Sequence, residues 1–125
     1  MDEDYEVIFQ MTENCEKMLK KHPLDEKTIE KIMTLAEVYH DTGMSPHVQS
    51  LRKDFLLKNH LESTLYIIKL GIKERALVSI DFDEIFNQLI VTLWGFTSNH
   101  DYQKMFRKIG ESLYQEYLCN GEGDQ

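Results

Sequence analysis

The chain has 125 residues, enough for one compact domain with a single core; 42% are hydrophobic and 29% charged, a globular balance and not a disordered one. The formal net charge of −8 makes wrapping of nucleic acid by phosphate neutralisation a poor reading. No apolar run reaches the ~18 residues of a membrane-spanning helix, and the "MDEDYEVIF" start is acidic where a secretory signal is basic.

The charge is uneven. Residues 1–44 carry a net −6, residues 45–78 a net +3 and residues 79–125 a net −5. The central bases, Arg52, Lys53, Lys58, Lys69, Lys73 and Arg75, form either a solvated helix face or a cradle for an acidic peptide. Cys15 and Cys119 are 104 positions apart, which is no disulfide framework. Free thiols fit a reducing compartment, so a nuclear or cytoplasmic location is expected.

In chain order, the periodicity predicts helices. Helix one spans Asp4 to Lys21 with Ile8, Met11, Cys15, Met18 and Leu19 on one stripe, and Pro23 stops it. Helix two opens with Asp25 as N-cap and a Leu24–Ile29 staple; it buries Ile29, Ile32, Met33, Ala36 and Tyr39, and Gly43 falls at the left-handed C′ position. Helix three follows from a Ser45 cap and Pro46, with Val48, Leu51 and Phe55 inward. Asn59 and Glu62 open a fourth helix, or continue the third, over Leu61, Leu65 and Ile68 to Gly71. Helix five has Asp81 as N-cap and runs through Phe82, Ile85, Phe86, Leu89, Ile90, Leu93 and Trp94 to Gly95. Helix six starts at Ser98, with Tyr102, Met105, Phe106, Ile109, Leu113, Tyr114 and Tyr117 on its stripe. The expected fold is therefore all-α, a compact bundle of five to six helices in a single domain over 1–119, followed by a disordered tail at 120–125.

His40-Asp41 raises the question of chemistry. A metal-dependent phosphohydrolase of the HD type needs a second His upstream and a further Asp downstream, so that imidazole and carboxylate ligands hold a divalent cation and activate water. The upstream His22 is only eighteen residues away, and Asp81 and Asp83 are assigned to capping. His40 and His47 lack the Cys or carboxylate spacing of a zinc site, and no phosphate loop or nucleophile elbow is present. The chain is read as a non-enzyme with no cofactor.

The aromatics Trp94 and Phe96 flank Gly95 in a connection between helices five and six. They serve either the core or, if exposed, a docking point for a short peptide. The expected partner-binding set is Trp94, Phe96, His100 and Tyr102 with Arg52 and Lys53. The expected partner is a protein with a short acidic-aromatic motif, without direct nucleic-acid or membrane contact. The alternatives are the HD-type hydrolase and a structural subunit of a fixed complex.

Two stretches carry a resemblance. Thr42, Gly43, Val48, Ser50, Leu51, Arg52 and Lys53 stand at a spacing similar to the signature of the N-terminal helical domain of transcription elongation factor S-II, found also in elongin A and a Mediator subunit. Met33-Thr34 stands where that family has a Pro-containing turn, and Asp54 where it tends to have His. Tyr102, Met105, Phe106, Gly110, Leu113, Tyr114 and Tyr117 follow an order similar to the last helix of the integrase-binding domain of lens-epithelium-derived growth factor. The resemblance implies a small helical bundle that captures short disordered segments of transcription or chromatin proteins through its inter-helix loops.

Overall fold

A computed structural model of the chain describes residues 4–56, 62–98 and 102–109, the side chains of 51–56 and 62–64 excepted. The fold is not an all-α bundle. Five strands form one mixed sheet: β1 (Glu6–Met11), β2 (Val48–Leu56), β3 (Glu62–Lys69), β4 (Arg75–Asp83) and β5 (Gln88–Thr97), in the order β1-β5-β4-β3-β2. β1 runs parallel to β5, and every other neighbouring pair is antiparallel. Among the described residues the helices are α1 (Glu13–Met18), α2 (Glu26–Thr42) and α3 at 102–109.

The expected helices three, four and five are thus corrected to strands over most of their length, and expected helix one divides into β1 and the short helix α1. β1 shows why. In "EVIFQM" Val7, Phe9 and Met11 alternate toward the α1/α2 side, and β-branched and aromatic residues fit a pleated surface. β3, β4 and β5 lie inside the sheet with side chains buried on both faces, so they read as near-continuous apolar runs: "LYIIK", "ALVSI", "LIVTLW". Such runs fit a buried helix and a buried strand equally well by periodicity alone.

The sheet is covered on both sides. Toward α1 and α2, Cys15, Ile32 and Ala36 pack with Ile68, Leu70, Ala76, Val78, Val91 and Leu93. On the reverse face Leu65, Ile67 and Leu77 pack beneath Phe106 of α3, joined by Trp94, Tyr102, Met105 and Ile109. α3 approaches closely because β5 has no side chain at Gly95: a Cβ there would sit 2.9 Å from Ile109 Cδ1 and 3.3 Å from Phe106 Cε1. Gly95 is therefore a packing position within a strand and not the end of a helix. The β5 register shifts opposite Leu77 and Val78, so that Trp94 and Phe96 leave on opposite faces.

The capping signals fared differently from the helices they were assigned to. Asp25 Oδ1 accepts from the Thr28 amide at 2.8 Å and starts α2 as expected. Gly43 lies at φ +78°, and its amide donates to the Tyr39 carbonyl at 2.8 Å, ending α2 as expected. Ser45 instead caps a tight turn, accepting from the His47 amide at 3.2 Å, and the chain enters β2. Within the S-II-like stretch the Thr42-Gly43 stop is present, while Val48 to Lys53 is strand and not the opening of a helix. Thr12, assigned no role from the sequence, caps α1 by accepting from the Cys15 amide at 3.1 Å.

Candidate functional site

The expected binding set does not gather around one helix–helix loop. Trp94 and Phe96 are in β5. Trp94 is half-buried on the α3 side, and its indole Nε1 donates to Ser79 Oγ at 2.8 Å, which satisfies a hydroxyl on an almost fully buried serine. Phe96 packs on the other face, against the α1/α2 cluster. Tyr102 joins Trp94 in the α3 cluster, stacks edge-on to Phe106 at 6.1 Å and carries the Arg75 guanidinium 5.0 Å above its ring. Arg52 and Lys53 fall in the register shift of edge strand β2 between Ser50 and Asp54, with side chains outside the described residues. His100 lies outside the described residues altogether. The structure thus joins Trp94 with Tyr102 and separates both from Phe96.

His40 and Asp41 occupy the last turn of α2, and their neighbours are aromatic. The Tyr5 hydroxyl donates to Asp41 Oδ1 at 2.6 Å. The His40 ring stacks on Phe82 at 5.2 Å with an 18° interplanar angle, and Tyr5 meets both rings edge-on at 5.6 Å. Burial, the hydrogen bond to Asp41 and the charges of Asp41 and Glu37 together push the Tyr5 hydroxyl well above the ordinary tyrosine value, so it remains a proton donor. Among the described residues no three His, Cys, Asp or Glu side chains converge as a metal site. Cys15 is fully buried, and its burial raises the thiol to about 11, which makes it a core residue and not a nucleophile.

Beside this aromatic trio the β4–β5 connection presents a different surface. In "DFDEIFNQ", Asp83 Oδ1 accepts from the Ile85 and Phe86 amides at 2.9 and 3.3 Å. Asn87 adopts φ +56°, a conformation that asparagine tolerates better than most residues. Its Nδ2 donates to the Asp4 carbonyl at 2.9 Å, while its own carbonyl accepts from the Glu6 amide at 3.1 Å. The turn is therefore closed from within and tied to the start of β1. It holds Ile85 and Phe86 outward, 86% and 70% exposed, next to the partly exposed Phe82. Solvent-exposed large apolar side chains side by side on a fixed turn are unlike apolar residues scattered singly over a surface.

Among the described residues, the charged groups that belong to this patch or bond to it are acidic. Asp4 reaches it through Asn87, Glu37 and Asp41 through Tyr5, and Asp83 and Glu84 belong to the turn. No Lys or Arg occurs in 4–11, 32–42 or 76–97, the three segments that carry the aromatic trio and the turn. The described bases lie elsewhere. Lys17 and Lys20 line an open groove of about 420 Å³ with Met11, Leu19, Leu24 and Ile29. From Ile29 to His40 is about 16 Å along α2 at 1.5 Å per residue, which places the groove and the patch toward opposite ends of that helix. Lys104, Arg107 and Lys108 are exposed on α3, on the reverse face of the sheet.

The residues of this patch escaped sequence reasoning because Ile85 and Phe86 fit the buried stripe of a helix. The signal that could have found them is the Asp-Glu-Ile-Phe-Asn turn between two apolar runs, a hairpin pattern. No protein-family model, curated protein or solved structure matches this chain. None of the described helices is long and apolar enough to cross a membrane.

Proposed function

We propose that this chain is a protein-interaction module that docks partners on the Phe82–Ile85–Phe86 patch. The observation that carries the reading is the turn itself: two large apolar side chains held outward by hydrogen bonds that are already made in the free protein. A surface ordered before binding spares the entropy of ordering it during binding. The aromatic trio of Tyr5, His40 and Phe82 supplies a firm floor beside the turn, of the kind that central anchors at interfaces use.

The test is recovery of partners from nuclear and cytoplasmic extracts by quantitative mass spectrometry, comparing the unaltered chain with an Ile85→Ser, Phe86→Ser double variant. Both side chains are exposed, so the fold is expected to survive, as circular dichroism and thermal melting would report. Loss of specific partners from the variant is the expected result. Equal recovery by both proteins, with the variant folded, would show that docking uses another face.

A further inference from the structure

We infer that the segment taken by this patch is cationic: a stretch of a partner protein that carries Lys or Arg around one or two large apolar side chains. The inference rests on the docking role proposed for the patch and adds the chemistry of its occupant. Phe82, Ile85 and Phe86 offer apolar contact, and Asp4, Glu37, Asp41, Asp83 and Glu84 lie beside them on three segments, 4–11, 32–42 and 76–97, that contain no lysine or arginine. A basic segment gains attraction from these acids as it approaches, which raises its rate of encounter and fixes its register. Its cations would also find aromatic faces, since a guanidinium or ammonium is attracted to the ring of a Phe or Tyr.

The same ring of charge selects against other occupants. An acidic-aromatic motif would bring carboxylates against carboxylates, and like charges at an interface act as a filter against wrong partners. Two copies of this chain meeting patch to patch would suffer the same repulsion. Among the described residues, the exposed bases of α1 and α3 lie away from this end, so a patch-to-patch pairing does not bring them against the acids.

The experiment is a selection of random peptides displayed on phage against the immobilised chain, followed by affinity measurements on synthetic copies of the winners. The proteins compared are the unaltered chain, Ile85→Ser with Phe86→Ser, and Asp4→Lys with Glu84→Lys, all checked for folding by circular dichroism. The expected winners carry net positive charge with aromatic or aliphatic anchors. They lose at least tenfold in affinity to the apolar variant and to the charge variant, and weaken by a similar factor between 50 and 500 mM salt. Winners that need Ile85 and Phe86 but are neutral or acidic overturn the cationic occupant and leave the docking role standing. Winners indifferent to Ile85 and Phe86, or no winners at all, overturn both. Concentration-dependent mass in light scattering, abolished in the apolar variant, would make the occupant a second copy and also overturn the inference.

Discussion

Tyr5 shows how one side chain ties three segments together. It precedes β1, bonds the last turn of α2 through Asp41 and meets Phe82 of β4 edge-on. Tyr5→Phe keeps the ring contacts and removes the hydrogen bond. Because water reaches this bond, the expected cost is about 0.5 kcal/mol, the low end for an intramolecular hydrogen bond, read by chemical denaturation at pH 7. The linkage also has a direction. The folded hydroxyl titrates above its ordinary value of 10.0, so the neutral form is favoured by folding. Its contribution is complete below pH 10 and declines as pH rises further toward the folded value. Stability measured from pH 8 upward should therefore fall more steeply in the unaltered protein than in Tyr5→Phe; parallel curves would show that Asp41 and burial do not hold this proton.

At the scale of elements, β5 and α3 are fitted to each other at a single position. Glycine in a strand ordinarily weakens it, but at Gly95 the missing side chain lets Phe106 and Ile109 reach the sheet. The nearest atom to an added Cβ is the mobile end of Ile109, so alanine could be accommodated by a side-chain rotation. Valine adds two further carbons and would push α3 away. Gly95→Val is expected to destabilise by about 1–3 kcal/mol, the range for overfilling a packed site, and to shift the near-ultraviolet signal of Trp94 in the same cluster. Unchanged stability would mean that α3 is not seated as described. The β4–β5 turn is the second element of consequence. Its internal bonds from Asp83 and its ties from Asn87 to the start of β1 fix the two side chains on which the proposed docking depends.

Over the whole molecule, the decisive arrangement is one sheet with two covered faces. α1 and α2 close one side, and α3 closes Leu65, Ile67 and Leu77 on the other. A chain ending at residue 98 would lose α3 and open that second core to water. It is expected to bind the hydrophobic dye ANS strongly and to melt without a cooperative transition, whereas retention of a sharp melt would show the reverse face to be stable uncovered. The segregation of charge is also a property of the whole. Acids gather where β1, the end of α2 and the β4–β5 turn meet, and the described bases of α1 and α3 lie away from them.

Local signals were legible in the sequence wherever a few adjacent residues suffice to make a structure. Asp25 and Gly43 bracket α2 because an N-cap acceptor and a left-handed glycine act within one turn of the chain. The acidic balance, and with it the argument against a nucleic-acid partner, also follows from counting residues. The strands were not legible, because "LYIIK" and "LIVTLW" become strands through neighbours far along the chain, such as Leu65 beside Ser79 and Phe9 beside Val91. Hydrogen bonds of that kind leave no local period, and burial on both faces erases the alternation that would otherwise mark a strand. The patch shares this origin. Tyr5, His40, Phe82 and Phe86 are scattered over 82 positions, and only the parallel pairing of β1 with β5 and the seating of α2 on the sheet bring them to one end. The sequence by itself determined the two ends of α2, the charge and the residues available; the tertiary structure decided which apolar side chains are core and which face outward.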